Sequence, residues 1–302
     1  MRSVVLIKEI EKLKKQKKAI ILAHNYQKPE VQDIADFTGD SLELSRIAAD
    51  NDADLILFCG VHFMAESAYI LSPQKKVILP DLSAGCPMAD MAEAVDVLNM
   101  KEKNPDAAVV TYINSSAEVK AASDICVTSA NAVTIVNKLQ NDTVLFIPDK
   151  NLANYVQRFT SKKIIPWKGF CPTHDRFTKE ELIAIKQKYP EAYVIVHPEC
   201  RPEIIDLADN VWSTGQMVKN INTIPHKQII VGTEEGMLHK LKKIAPEKEF
   251  ILASKGFMCP NMKKITLEKI LKALQDEQPI VTVKEDTRIK AFMALQKMLE
   301  LS

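Results

Sequence analysis

The 302-residue sequence predicts an α/β protein: three similar three-layer α/β/α units with parallel sheets in a pseudo-threefold arrangement. Three observations carry that expectation. Short continuous apolar runs alternate with stretches of helical period, the pattern of parallel strands covered on both faces and joined by right-handed crossovers. Three of those runs end in a polar triplet, and each triplet is followed by a hydroxyl residue at the same offset of 17. Three Cys-Pro pairs, Cys86-Pro87, Cys171-Pro172 and Cys259-Pro260, divide the chain with cysteine spacings of 85 and 88.

Taken in order, a first helix with Leu6, Ile10 and Leu13 on one face presents the basic run Lys12 to Lys18 to solvent. The run AIILA then leads into His24-Asn25-Tyr26. Helical patterns follow at Val31 to Phe37 and Leu42 to Ala49, a second strand at Leu55 to Phe58, a helix at Phe63 to Leu71, and the run KVILPD before Cys86. The second third repeats this with AVVT into Tyr112-Ile113-Asn114, Val144 to Ile147, and KIIPW before Cys171. The last third does so with YVIV into His197-Pro198-Glu199, Ile229 to Val231, and FILAS before Cys259. Pro73, Pro105, Pro190 and Pro246 fall between helical and extended stretches, where breakers belong. The expected limits are 1–90, 91–175 and 176–284, with a C-terminal helix 285–302 joining the first unit. Units of that size sit near the lower limit of independent stability, so they are expected to share buried surface.

Composition excludes several classes. The chain is 46% apolar and 26% charged with a net charge of +1, which gives no electrostatic case for nucleic acid or membrane binding. No stretch has the length of a membrane span, and the first residues turn charged too soon for a signal peptide, so a cytoplasmic protein is expected. Six cysteines in such a protein argue for metal or catalytic use over disulfides. Cys59 and Cys126 lie in or near apolar runs and read as small buried hydrophobes.

The triplets stand at the carboxyl ends of parallel strands, where such sheets place ligands. Strand alternation would present His24 with Tyr26, Tyr112 with Asn114, and His197 with Glu199 on one side. Ser41, Ser129 and Thr214 precede helical stretches and read as N-caps at three anion-attracting helix ends. No P-loop or dinucleotide fingerprint occurs. Gly39-Asp40-Ser41-Leu42 spells an esterase nucleophile motif but follows a helical pattern and lacks an Asp-x-x-His partner near the C-terminus. Three thiolates suit an iron–sulfur cluster or zinc. Zinc asks for a water or a fourth ligand, for which His174 is the candidate, whereas a [4Fe–4S] cluster on three cysteines keeps one iron open as a Lewis acid. An iron–sulfur electron-transfer protein and a zinc-stabilised binding protein therefore stand beside an enzyme.

The segments AHNYQKPEVQDIADFTGDS, VTYINSSAEVKAASDICVTSANAV, GFCPTH, VIVHPEC, STGQM, GTEEGMLHKL and CPNMKK together resemble quinolinate synthase, the iron–sulfur enzyme family of de novo NAD synthesis. The resemblance runs from about Ala23 to Lys264 and implies three α/β units around a central cluster. It implies condensation of iminoaspartate with dihydroxyacetone phosphate to quinolinate, phosphate and two waters. Those two substrates and an upstream enzyme supplying iminoaspartate are the implied partners. Carried over, Cys86, Cys171 and Cys259 would hold a [4Fe–4S] cluster. His24, Ser41, Tyr112, Ile113, Asn114, Ser129, His197, Pro198, Glu199 and Thr214 would contact substrate, with Tyr26 and His174 in the same pocket. Glu199 is the expected general base, and Tyr26, Tyr112, His174 and His197 the expected proton carriers. Some members carry a Cys-x-x-Cys-x-x-Cys run at the third ligand. This chain has Cys259 alone there, so thiol–disulfide regulation at that spot is not implied.

Overall fold

The structure is a computed structural model and describes residues 2–302. The first unit runs α1 (Arg2–Gln16), β1 (Ala19–His24), α2 (Pro29–Ile34), β2 (Phe37–Gly39), α3 (Ser41–Ala49), β3 (Leu55–Cys59), α4 (His62–Leu71), β4 (Lys76–Ile78). The second runs α5 (Ala94–Glu102), β5 (Ala108–Tyr112), α6 (Ala117–Ala121), β6 (Ile125–Val127), α7 (Ala132–Lys138), β7 (Thr143–Ile147), α8 (Lys150–Gln157), β8 (Lys163–Pro166). A short α9 (Pro172–Asp175) leads into the third: α10 (Lys179–Lys188), β9 (Tyr193–Val196), α11 (Pro202–Ile205), β10 (Asn210–Val211), α12 (Thr214–Asn220), β11 (Gln228–Gly232), α13 (Met237–Ile244), β12 (Glu249–Leu252). Two helices close the chain, α14 (Leu267–Asp276) and α15 (Glu285–Leu301).

Each unit carries one four-stranded sheet, all pairs parallel, in the same order: β2-β1-β3-β4, β6-β5-β7-β8 and β10-β9-β11-β12. The threefold recurrence read from sequence is thus a recurrence of topology. Its offset of 17 has a structural cause. His24 pairs with Gly39, Tyr112 with Val127 and Val196 with Val211, a register of 15 in every unit. A residue two beyond the paired position therefore lies next to the triplet. One aspartate fixes that register in each copy. Asp36, Asp124 and Asp209 accept the backbone N–H of Ile21, Val109 and Val194 at 2.8, 2.8 and 2.7 Å. Their own N–H groups donate back to the carbonyls of the same residues. This Asp, 12 residues after each triplet begins, is a further repeat that the sequence reading overlooked.

The short edge strands β2, β6 and β10 were not anticipated. Two or three residues are too few to show a period, and Phe37, assigned to a helical run, in fact opens β2 after α2 stops at Ile34. All four prolines singled out lie between a helix and the next strand. The capping assignments need correction. Asp40, not Ser41, caps α3, accepting from Leu42 N and Glu43 N at 2.9 and 3.0 Å, while Glu43 returns a bond to the Asp40 N–H. Ser213, not Thr214, caps α12, and Asn131 is the cap residue of α7, two residues after Ser129. Asp and Ser have short side chains that reach the N3 amide, so they take the cap and leave the next hydroxyl free.

The main core draws on all three sheets: Leu22 and Ile56, Val110 and Phe146, Ile195 and Val231 belong to one buried cluster. That shared interior joins the three units into one body. α14 packs on α1 and β3, and α15 packs on α6 and β6 as well as on α4. The C-terminal helix therefore serves the first and second units together. No helix among the described residues is long and apolar enough to cross a membrane.

Candidate active site

The carboxyl ends of β1, β5 and β9 converge on one cavity of about 140 Å³. His24, Tyr26 and Ser41 line it from the first unit, Tyr112, Asn114 and Ser129 from the second, His197, Glu199 and Thr214 from the third. Cys86, Cys171, Cys259 and His174 complete the wall. Ile113 and Pro198 are buried and do not line it. The strand-alternation argument reached the right pairs by an inexact route. β1 and β5 end on the first residue of the triplet and β9 one residue before it, so Tyr26, Asn114 and Glu199 are set by the turns beyond.

The acid–base groups form a continuous chain. The Tyr112 hydroxyl donates to Glu199 Oε1 at 2.5 Å, and His174 Nδ1 lies 2.8 Å from Glu199 Oε2. His174 Nε2 is 2.9 Å from Thr233 Oγ1, which is 2.6 Å from the Tyr26 hydroxyl. With Nδ1–H donating to Glu199, Nε2 accepts from Thr233, and Tyr26 donates to Thr233, so all the bonds run in one sense. Thr233 was missed because it follows β11, not one of the triplet strands. Its segment GTEEGMLHKL was noticed, but no repeated offset marked the threonine.

Burial alone would raise the Glu199 carboxyl; the flanking His197 and His174 and the bonds from His174 and Tyr112 outweigh it and hold the group below its ordinary range. Burial, reinforced by the Glu199 charge, pushes the Tyr26 and Tyr112 phenols well up, so both stay protonated donors. Burial pulls His24 and His197 down to about 3. Their tautomers follow from their partners. Each Nδ1 accepts a backbone N–H, from Tyr26 at 3.2 Å and from Glu199 at 3.3 Å, so each Nε2 carries the proton. His197 Nε2 lies 3.3 Å from Ser129 Oγ, and Asn25 Nδ2 donates to Thr214 Oγ1 at 3.2 Å. The Asn114 Oδ1 atom is buried with no partner.

Two buried neutral imidazoles have a consequence for stability. A histidine whose folded pKa lies below its unfolded value of about 6.5 contributes fully above 6.5 and loses that contribution as pH falls toward 3. The metal-free protein is therefore expected to lose about 1.4 kcal/mol per pH unit for each of the two between those limits. Melting temperatures from pH 7.5 to 5 test this. A flat profile contradicts it, and His24→Gln should lessen the slope.

All six cysteines are free. Cys59, Cys126 and Cys200 are fully buried, which agrees with the packing role read for the first two. The cavity thiols face the opposite problem. Burial pushes Cys86 up to about 12 and raises Cys171 and Cys259, with Cys86 further opposed by Cys259, Cys171 by Glu199 and Cys86, and Cys259 by Glu234. Thiols that line one cavity, undisulfided and hard to ionise, fit a bound metal, which supplies the missing positive charge. Cys171, His174 and Glu199 also form a compact donor group with ligand atoms within 4.8 Å of one another.

Such a chamber, with a Cys/His/Glu group able to hold a metal, is that of an α/β enzyme working on a small polar compound. Comparison with known proteins agrees. The family model described as quinolinate synthetase A protein matches residues 8–300. Quinolinate synthase 1 of Methanosarcina acetivorans is 53% identical over 299 residues, covering 99% of this chain and 98% of its own length. Quinolinate synthase of Dehalococcoides mccartyi is 55% identical over 293 residues, 97% of each chain, and that of Thermodesulfovibrio yellowstonii is 53% identical over 296 residues, 98% of each. The chain belongs to the quinolinate synthetase A family.

Proposed function

We propose that the protein condenses iminoaspartate with dihydroxyacetone phosphate, giving quinolinate, phosphate and two waters, in de novo NAD biosynthesis. Cys86, Cys171 and Cys259 would hold a [4Fe–4S] cluster; when bound, it supplies a Lewis-acid iron with one position free of protein. The observation that carries the reading is the joining of Glu199, His174 and Tyr112 beside Cys171 inside a chamber to which all three units contribute.

The chain's own groups divide into binding and proton transfer. The Nε2–H of neutral His24 and His197, with the Ser41, Ser129 and Thr214 hydroxyls, donates to carboxylate and phosphate oxygens. The unpartnered Asn114 Oδ1 accepts from an imine or hydroxyl of substrate. Glu199 takes protons as the general base. Tyr26 and Tyr112, kept protonated by burial, return them during enolisation and dehydration, and the Thr233–His174 link joins the two phenols through Glu199. Unit limits of 1–90, 91–175 and 176–284, a cytoplasmic location and an upstream enzyme that makes the imine belong to the same proposal.

The test is an anaerobic assay on the iron- and sulfide-reconstituted protein, following quinolinate from the two substrates. Formation that depends on bound iron is expected; none from a protein carrying four irons refutes the proposal. The Cys171–His174–Glu199 group favours one other reading, a mononuclear zinc site. One zinc per chain with no iron or sulfide in an anaerobic preparation would select it.

A further inference from the structure

We propose that Glu234, with Lys263 as its counter-charge, is a positioning residue that ties the third cysteine to the Tyr26 turn of the first unit. The inference rests on the cluster reading given above. Glu234 is fully buried two residues beyond β11. Its Oε1 accepts the Cys259 N–H at 3.1 Å and its Oε2 the Gly236 N–H at 2.7 Å. Lys263 Nζ lies 2.8 and 3.0 Å from the two oxygens and also donates to the Tyr26 carbonyl at 2.7 Å. One carboxylate and one ammonium thus connect the backbone of a metal ligand to the backbone of a proton donor in another unit.

The surroundings have the same purpose. A Cβ on Gly236 would stand 2.7 Å from the Tyr26 carbonyl carbon and oxygen and 2.8 Å from the Gln27 oxygen, so the two backbones meet with no room for a side chain. Gln32 Nε2 donates to the Asn25, Gln27 and Gly236 carbonyls, and Gln27 Nε2 to Met262 Sδ, three residues after Cys259. The Tyr26 hydroxyl itself bonds Thr233, the neighbour of Glu234.

The repeat sharpens the assignment. Sheet register makes Cys59, Ile147 and Gly232 equivalent, so Glu234 corresponds to Asp149 in the second unit and Val61 in the first. Asp149 caps α8 through Leu152 N, while burial and the Glu199 charge push its carboxyl well above the ordinary range. Of the two carboxyl groups at this position, Glu234 is the one that accepts a cavity cysteine's amide and has a lysine reaching across to another unit. A buried ion pair survives when every polar atom is satisfied; here the satisfying partners are a ligand amide and a catalytic-turn carbonyl. The two functions are then mechanically coupled: loosening one end loosens the other.

The test uses the full-length, cluster-loaded protein and its Glu234→Gln, Lys263→Met and Lys263→Arg variants. The readout is the half-life of bound iron in an anaerobic chelator, at a temperature well below unfolding, alongside kcat and the melting temperature. Glu234→Gln and Lys263→Met are expected to shorten the iron half-life about tenfold and to lower kcat in parallel, with Lys263→Arg restoring both. Should Glu234→Gln fail to fold, Lys263→Met, whose side chain is 14% exposed, carries the test. A lower melting temperature with an unchanged iron half-life would mean an ordinary structural pair and overturns the inference alone. A parent chain that takes up no iron overturns the cluster reading and this inference with it.

Discussion

Glu199→Gln is expected to lower kcat by about a thousandfold while bound iron stays at the parental level. Gln keeps the size of Glu but loses the base and brings an NH₂ group into a site full of donors. The Tyr112 hydroxyl and His174 N–H both point at this carboxylate, and His197 stands 3.8 Å from it. One of the two donors, Tyr112 or His174, must lose its acceptor. Glu199 is also a link in the chain between the two phenols, so a single substitution disconnects them from each other. Because the thiols remain, the iron content and visible absorbance should survive. Turnover within tenfold of the parent would remove Glu199 from the chemistry; loss of iron would make it part of the metal's support instead.

Cys171→Ser is expected to have a still broader effect, loss of nearly all bound iron and with it a fall in kcat/KM of about a thousandfold or more, the scale of several kcal/mol of metal-assisted catalysis. Serine is a hard, weakly acidic donor where a soft thiolate is required. Among the three cysteines, Cys171 is the one in touch with the acid–base chain, its sulfur 3.2 Å from His174 Nδ1. It also begins the helix that carries His174. Iron and sulfide analysis after anaerobic reconstitution decides the matter. A variant that retains four irons would place the metal elsewhere, and Cys59→Ser is the control whose iron content should not change.

Most of this was legible in the sequence because the repeat imposes arithmetic on it. An offset of 17 from His24 to Ser41, Tyr112 to Ser129 and His197 to Thr214 is a strand register of 15 plus two, so a count of residues reported a spatial neighbour. The Cys-Pro spacing marked three cysteines that all line the one cavity. Residues outside that arithmetic went unseen. Thr233, Asp149 and Glu234 follow β7 and β11, whose ends carry different residues in each unit. Asp36, Asp124 and Asp209 did obey the arithmetic and were overlooked, since a lone Asp before a strand of two or three residues looks like a turn residue. The caps were misplaced by a residue or two because Asp40-Ser41 and Ser213-Thr214 each offer two competent capping side chains in a row, and backbone geometry chooses between them.

The identical strand order of the three sheets has a chemical corollary. Perfect threefold symmetry would furnish three indistinguishable seats, which suits a cuboidal inorganic group but cannot tell two different organic molecules apart. The protein breaks its own symmetry selectively. Cysteine recurs unchanged at 86, 171 and 259, and a hydroxyl recurs at 41, 129 and 214, whereas the third member of each triplet becomes Tyr26, Asn114 and Glu199 in turn. What any of the units would build alike is what holds matter still; what only one unit builds is what gives the reaction a direction.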